Sequence, residues 1–312
     1  MDKKLLIDEM NRLGITPSVV NLYAKAITPQ AELKAICTSL PEITQKMGLT
    51  AEILSVMFPS EVLLANHVYI SKQDTPPVIQ PKEIAFFFGD AHGIIGKKGG
   101  IVDENENNQP YIKPAQGYFF EFSTGEGYGN AQCFGYNSAH LKLHDQSASV
   151  CYQRTTFTSD GNSNVRIHGQ SKGEASERSS VIATGETFIN GIGRSMTYLN
   201  GNSAGVFGDY AWSVVNGNAT CLQMGRYTNI ELNDQARCLS LGGGYTECHE
   251  NSLVFSDNLE NIKCIDIKSV ARLTDYRILR KAAEMYMHGD RTAFNQILEM
   301  TQNKNISKNR TI

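Results

Sequence analysis

The chain has 312 residues, of which 41% are hydrophobic and 20% are charged, and its formal net charge is −3. This length allows two or three domains with a sizeable buried core, and the composition excludes wholesale disorder, a collagen-like repeat and a disulfide scaffold. All nine prolines lie at or before Pro114, whereas 19 of the 27 glycines lie between Gly117 and Gly244, so at least two kinds of architecture share the chain.

The first part of the chain, residues 1–75, is predicted to form a helical domain. Leucine and methionine recur at helical spacing over residues 2–13, and Gly14 follows as a C-cap. Pro17 is suited to the first turn of a second helix, and a third is predicted from about Gln30.

Residues 43–54 resemble a helix-turn-helix, with Gly48 in the turn and Thr50 as the next N-cap. In a DNA-reading protein the second helix presents Arg, Lys, Asn or Gln to the base edges. Here that helix has no basic residue before Phe58, so a plain helical bundle is favoured over a DNA-binding role.

The next motif is an apolar strand that ends in Gly-Asp-x-His-Gly, at residues 84–93. It resembles the first metal-binding block of calcineurin-like metallophosphoesterases, which implies that Asp90 and His92 would be ligands of a two-metal site. The later GDxxD and GNH blocks of that family are missing from the sequence. We therefore predict no metal site there, and interpret residues 76–116 as a linker and the first strand of the following region.

An eight-residue repeat dominates the centre of the chain. From Gly161 to Leu232 the sequence divides into nine octads without insertion, with Gly at position 1 in seven of them. Position 3 is Ser, Thr or Ala in eight octads, the exception being Tyr227. Weaker copies on both sides extend the repeat domain to residues 117–258, and a sustained register of this kind indicates a repeat architecture.

Each octad position has a physical interpretation. Glycine at position 1 permits a corner with positive φ, position 3 is small because it lies inside that corner, and positions 5 and 7 alternate as in a short strand. The pattern predicts a β-solenoid with two octads in a flattened coil or three in a triangular one. An antiparallel meander is disfavoured, because a uniformly small position 3 would then have no single environment. The region resembles octapeptide-repeat β-solenoids of bacterial and phage type.

Between residues 196 and 232 the outward positions are also apolar. This indicates burial against another part of the chain or a second subunit, or a face that contacts a ligand. The candidate binding residues are the aromatic anchors Tyr198, Tyr210 and Trp212.

The last part of the chain, residues 259–312, is predicted to be a helical cap or an oligomerisation element. Residues 266–287 are amphipathic at helical spacing, a second helix is predicted from about Thr292, and residues 303–312 resemble a frayed tail. A cap would cover the open end of the solenoid, because an exposed terminal coil invites edge-to-edge aggregation.

Charge, cysteine spacing and targeting signals restrict the remaining possibilities. The seven cysteines include no CxxC pair, so reduced and buried thiols are expected rather than disulfides or a zinc site, and no cofactor is expected. No apolar run is long enough for a membrane span, and early acidic residues disfavour Sec export. The predicted location is the cytoplasm, or a phage or other intracellular assembly.

Three function classes follow. The sequence favours a non-enzymatic structural or interaction protein, a capped β-solenoid scaffold that presents an extended face for self-association or for a protein or glycan partner. The second class is an acidic inhibitor that imitates DNA, since residues 81–260 carry a net charge of −7, but the acidic residues do not fall in one octad column. The third is an enzyme acting on polysaccharide or phosphoester, for which no carboxylate pair stands out. Nucleic acid and membrane partners are not expected.

Overall fold

A computed structural model describes residues 3–97, 113–288, 290 and 292–297. It confirms the expected fold class: a helical region at the N-terminus, a parallel β-solenoid of about 12 turns over residues 68–273, and a short helical region at the C-terminus. The chain divides into two compact units, residues 1–149 with 154–156, and residues 150–153 with 157–312. No helix within the described residues has the length and apolar character that a membrane crossing requires.

The N-terminal region consists of six short helices. The predicted turn at Gly48 and N-cap at Thr50 are confirmed, since Gly48 ends α4 in a left-handed conformation with φ of 67° and the Thr50 side chain accepts the N–H of Ile53. The helices pack around buried apolar side chains such as Leu33 and Leu54. Their bounds are α1 Lys3–Arg12, α2 Pro17–Lys25, α3 Pro29–Cys37, α4 Leu40–Met47, α5 Ala51–Met57 and α6 Ser60–Ala65.

Within the described residues, twenty-four short strands follow and alternate between two parallel sheets. Odd-numbered strands form the first sheet and even-numbered strands the second. The strands are β1 Val68–Tyr69, β2 Val78–Ile79, β3 Ile84–Phe87, β4 His92–Ile95, β5 Gln116–Phe119, β6 Thr124–Gly127, β7 Gln132–Gly135, β8 His140–Leu143, β9 Ala148–Cys151, β10 Thr156–Ser159, β11 Asn164–Ile167, β12 Lys172–Ala175, β13 Ser180–Thr184, β14 Phe188–Gly191, β15 Met196–Asn200, β16 Ala204–Gly208, β17 Trp212–Val215, β18 Thr220–Met224, β19 Asn229–Leu232, β20 Arg237–Leu241, β21 Tyr245–Cys248, β22 Leu253–Ser256, β23 Ile262–Cys264 and β24 Val270–Leu273.

The structural repeat is a turn of about 16 residues, the length of two octads, so the octad is not itself the repeating unit of the structure. Val181 of β13 is paired with Thr197 of β15, sixteen positions later, and each octad supplies only one of the two strands of a turn. The solenoid also begins at Val68, earlier than the predicted repeat domain at residues 117–258. The turn is therefore a flattened coil with two sides.

The interior of each turn follows the octad positions. In the turn at β11, Ser163, Val165 and Ile167 are buried, whereas Asn164 and Arg166 are exposed. The small residue at position 3 and the apolar residues at positions 5 and 7 therefore point inward, as period-two alternation requires.

Phenylalanine rings fill this interior and leave no room for a side chain beside them. In the first unit Phe87 stacks on Phe119 with ring centroids 4.7 Å apart. A Cβ added at Gly125 would lie 2.2 Å from the Phe119 ring, and in the second unit a Cβ at Gly173 would lie 2.0 Å from the Phe157 ring. Glycine is thus required in this region for two reasons: it permits the corner conformation, and it leaves space for the phenylalanine rings.

Carboxylates at position 1 hold the corners of successive turns together. The backbone N–H of a corner residue donates to an acidic side chain one turn later, from Gly129 to Asp145 at 3.1 Å and from Gly161 to Glu177 at 3.0 Å. These acidic residues adopt positive φ, 58° at Asp145 and 54° at Glu177, a region disfavoured for residues with a Cβ. The hydrogen bond offsets that conformational cost.

The hydrogen bond from the Gly129 N–H to Asp145 leads to a testable prediction. We expect Asp145→Ala to lower the free energy of unfolding by about 1–2 kcal/mol, because the Gly129 N–H loses its acceptor while the strained φ remains. Asp145→Gly should be less destabilising than Asp145→Ala, since glycine adopts this φ without strain. Urea unfolding measures the free energy of unfolding of both variants, and Gln146→Ala is the control. An alanine variant as stable as the glycine variant would contradict the interpretation.

The C-terminal helix α7, Tyr276–Met287, packs on the outer face of the second sheet in the second unit. Tyr286 is almost fully buried, and its hydroxyl donates to the Thr220 carbonyl at 2.8 Å. The apolar outward positions of that sheet are thus buried by another part of the chain. The buried cluster comprises Ala204, Leu222, Leu239, Phe255, Leu279, Ala282, Ala283, Tyr286, Ala293, Phe294 and Ile297.

Two expectations for the C-terminal part are corrected. Residues 266–275 are not helical, because Val270–Leu273 continues the sheet as β24 and pairs with β22. The sequence predicted that the C-terminal helices would cover the open end of the solenoid. Helix α7 instead covers the side of the second sheet around β18–β22, where apolar side chains would otherwise face water. The predicted tail at residues 303–312 lies outside the described residues.

Candidate functional site

A groove runs along the corner that precedes the odd-numbered strands of the second unit. It has a volume of about 430 Å³. We call it the arginine–tyrosine groove, and its lining residues are Gly161, Asn162, Glu177, Arg178, Gly193, Arg194 and Tyr210.

Backbone hydrogen bonds fix the spacing of its side chains. Each residue at position 2 donates its N–H to the carbonyl of position 1 one turn earlier. These bonds measure 3.0 Å from Arg178 to Gly161, 2.7 Å from Arg194 to Glu177 and 2.9 Å from Tyr210 to Gly193. Parallel neighbours in such a ladder lie about 4.8 Å apart, so Arg178, Arg194 and Tyr210 occupy equivalent positions on successive turns.

The two arginines give the groove a cationic centre. Both side chains are exposed, and neither guanidinium has an ion pair within the parts of the chain that the structure describes. The carboxylate of Glu177 accepts the Gly161 N–H and is thereby held at the corner. The five donors of each guanidinium remain available for a ligand.

Of the three aromatic residues predicted from the sequence, one lies in this groove. Tyr210 is 58% exposed and stacks on Tyr227 with ring centroids 5.0 Å apart and an interplanar angle of 8°. Trp212 is 40% exposed and lies on β17 beside Met196, to whose sulfur the Tyr198 hydroxyl donates at 3.4 Å. Trp212 and Tyr198 therefore belong to the outer face of the first sheet, next to the groove corner but not among its lining residues.

The sequence reasoning missed Arg178 and Arg194. Both occupy position 2 of their octads and lie sixteen residues apart, the length of one turn. The octad alignment placed residues of both corners in a single column, so the arginines were interleaved with Gln170 and Glu186 of the opposite corner. Aligning the sequence at a period of sixteen would have separated them.

Asp90 and His92, considered and rejected as metal ligands, have structural hydrogen bonds. The carboxylate of Asp90 accepts the backbone N–H of Lys72 at 3.1 Å, and Nδ1 of His92 is 2.7 Å from the Thr124 hydroxyl oxygen. Within the described ranges no group of three or more His, Cys, Asp or Glu side chains is arranged to hold a metal ion.

The thiols are mostly buried. Cys133, Cys151, Cys221, Cys238 and Cys248 are buried and free of disulfides. Burial raises the pKa of the Cys238 thiol well above its usual range. A buried thiol held in its protonated form is a poor nucleophile and a poor metal ligand, so these five buried side chains act in packing.

No protein-family model, curated protein or solved structure matches this chain. The candidate site therefore stands on its geometry and chemistry alone.

Proposed function

We propose that the protein is a non-enzymatic binding scaffold whose solenoid holds an extended acidic glycan along the arginine–tyrosine groove. The observation that carries this proposal is the placement of Arg178, Arg194 and Tyr210 at equivalent positions on successive turns, in one groove. The scaffold fixes the spacing of the ligand-facing groups, and no reaction is required of them.

The chemistry of the groove matches a polysaccharide that contains uronic acids. A guanidinium binds a carboxylate through two parallel hydrogen bonds, and these charge-assisted bonds are about twice as strong as neutral ones. The exposed ring of Tyr210 offers an apolar surface to a sugar ring, with Tyr227 stacked behind it. A spacing of about 4.8 Å between turns is close to the length of one extended sugar unit, so successive carboxylates would meet successive arginines.

Charge distribution favours a glycan over a nucleic acid. Residues 81–260 carry a net charge of −7, which opposes any polyanion but opposes duplex DNA, with one charge per about 1.7 Å, more strongly than a glycan with one carboxylate per sugar unit. The alternative of a DNA-imitating inhibitor is also less well supported, because Asp145, Glu177 and Asp234 direct carboxylate oxygens to backbone N–H groups of their own corners.

The proposal predicts a specific loss of binding. We expect Arg178→Ala with Arg194→Ala to weaken binding of a galacturonic acid hexamer by at least about tenfold per arginine, as the loss of charge-assisted hydrogen bonds implies. Isothermal titration calorimetry measures the affinity, and Arg166→Ala is the matched control, since Arg166 is an exposed arginine of the same unit outside the groove.

Two outcomes would overturn the glycan assignment. One is equal binding of the hexamer by the double variant and the Arg166→Ala control. The other is tighter binding of a neutral galactose hexamer, or of single-stranded DNA, than of the galacturonic acid hexamer.

Self-association of the scaffold stays a prediction. It is supported by exposed apolar side chains at the last turn of the solenoid, namely Ile265, Ile267, Val270 and Leu273, because unpaired strand edges with apolar side chains favour pairing with a second chain. The resemblance to bacterial and phage solenoids and the predicted intracellular location also stay predictions.

A further inference from the structure

The outer face of the first sheet in the second unit has no cover within the described residues. The helical residues of that unit pack instead on the second sheet, around Leu222, Leu239 and Phe255. On the uncovered side, the side chain of Ile182 is 37% exposed and that of Trp212 is 40% exposed. Apolar and aromatic side chains that remain open to water in this way, flanked by charged residues, are typical of a protein–protein interface.

The register of the parallel strands sorts the outward side chains of this face into two columns. Met196 lies beside Trp212, and Tyr198 lies beside Val214, on neighbouring strands. We call this surface the first-sheet face, and it extends over strands β11, β13, β15, β17 and β19. The first column consists of Asn164, Ser180, Met196, Trp212 and Asn229, and the second of Arg166, Ile182, Tyr198, Val214 and Glu231.

The two charged residues of the second column lie at its opposite ends. Arg166 lies two strands before Tyr198 in the sheet, and Glu231 lies two strands after it. A ladder spacing of about 4.8 Å places the two charges about 19 Å apart in one chain, and neither has an ion pair within the described residues. A partner that fits both ends must present the opposite charges at this separation and in the reverse order. The same face of a second copy does so when it is turned around.

A two-fold axis along the direction of β15 produces this arrangement. It reverses the order of the strands in the second copy and keeps each residue at its position along the strand, so equivalent columns face each other. Tyr198 then faces the partner's Tyr198, and Ile182 faces the partner's Val214. Arg166 faces the partner's Glu231 at both ends of the contact. A self-complementary surface of this kind is what a two-fold dimer requires.

The first column is complementary in size under the same symmetry. Ser180 faces the partner's Trp212, so the smallest side chain of the column lies opposite the largest. Met196 faces the partner's Met196, and its flexible thioether adapts to an irregular surface. Asn164 faces the partner's Asn229, and two amides can both donate and accept hydrogen bonds. Charge, size and polarity therefore all select one symmetric arrangement.

We propose that the first-sheet face binds a second copy of this chain as a two-fold dimer, in which Trp212 is buried against the partner's Ser180 and Arg166 pairs with the partner's Glu231. The face lies on the strands, whereas the arginine–tyrosine groove lies at the corner that precedes them, so the dimer does not depend on the glycan proposal. It also differs from association through the last turn, because β23 and β24 take no part in it.

Charge reversal tests the pairing. We expect Arg166→Glu and Glu231→Arg each to weaken the dimer by at least about tenfold, because each variant places like charges together at two symmetric sites. The double variant, Arg166→Glu with Glu231→Arg, should restore the dimer, since opposite charges face each other again. Sedimentation equilibrium of the full chain measures the dissociation constant. Lys172→Glu and Glu174→Arg are the matched controls, because both residues are exposed on β12 of the second sheet.

The fluorescence of Trp212 identifies the surface that associates. Trp212 is the only tryptophan of the chain, and its emission should shift to shorter wavelength as the protein concentration rises through the dissociation constant, because the indole leaves water. The Arg166→Glu variant should keep the emission of the monomer over the same range. Association through the last turn would instead leave the emission unchanged.

Three outcomes would overturn the proposal. They are a wild-type protein that stays monomeric at high micromolar concentration, a dimer whose tryptophan emission does not change with concentration, and a double variant that associates no better than the single ones. Circular dichroism of the single variants should match that of the wild type, since both side chains point outward. Arg166→Ala should weaken the dimer and keep the glycan affinity of the wild type, so failure of either proposal is recognised separately.

Discussion

A valine at position 173 is expected to lower the free energy of unfolding by about 3 kcal/mol, the upper range for overpacking a filled core. A Cβ at Gly173 would lie 2.0 Å from Cε1 and 2.2 Å from Cδ1 of Phe157, so the ring as a whole must move. Phe157 is itself buried in the solenoid interior, where close packing leaves no space to receive the ring. Urea unfolding followed by circular dichroism measures the change.

The matched control for this substitution is Lys172→Val, because Lys172 is the preceding residue on β12 and its side chain is exposed. An exposed substitution of this kind is expected to change stability by no more than about 0.5 kcal/mol. Adding Phe157→Val to Gly173→Val should recover part of the loss, since the two side chains compete for one volume. Equal effects of Gly173→Val and Lys172→Val would show that the ring does not occupy this space.

Replacing Gln223 by leucine is the second change with a large expected effect, a loss of about 3 kcal/mol or more from several buried polar groups left without partners. Gln223 is fully buried at an inward position of β18. Its amide nitrogen donates to the Thr228 carbonyl at 2.9 Å and the Tyr245 carbonyl at 3.0 Å, while its oxygen accepts from the hydroxyls of Ser240 and Thr246.

This network accompanies an extra residue in the solenoid. Gly205 is paired with Cys221 sixteen positions later, but Cys221 is paired with Cys238 seventeen positions later. Gln223 lies beside that insertion, and its amide nitrogen supplies hydrogen bonds to the carbonyls of Thr228 and Tyr245. The control is Gln235→Leu, an exposed position in the same region.

Deleting Gly225 from the Gln223→Leu variant should recover part of its stability, because a sixteen-residue turn has no insertion to bridge. If Gln223→Leu proves as stable as Gln235→Leu, the network does not stabilise the longer turn.

The same insertion explains the exception in the predicted octads. Tyr227 occupied the small position 3 in the sequence alignment, whereas in the structure Thr228 is the buried residue and Tyr227 is exposed at the corner. The sequence could not locate the extra residue, because Gly225 is a plausible corner glycine in either register. Its two signals in the sequence were Tyr227 at a small position and the polar Gln223 at an inward position.

The sequence predicted the solenoid, its small and apolar positions, the turn at Gly48 and the N-cap at Thr50, because each follows from local sterics or from a period. The number of octads in a turn did not follow, since two and three octads place the same residues inward. The groove also escaped prediction, because Arg178 and Arg194 become neighbours only once the turn length is known. The position of α7 required knowing which side of the solenoid left Leu222, Leu239 and Phe255 uncovered.

The sixteen-residue turn also determines how the protein folds. Parallel sheets usually form slowly, because their strands are distant in sequence and long loops must close first. Here Thr197 already pairs with Ser213, so each added turn closes a short loop on the one before it, and folding can nucleate at any turn and propagate to its neighbours. The bond from Tyr286 to Thr220 spans 66 residues instead. We infer that docking of α7 is the slow, late step, and that the buried cluster around Tyr286 forms only once the chain has completed it.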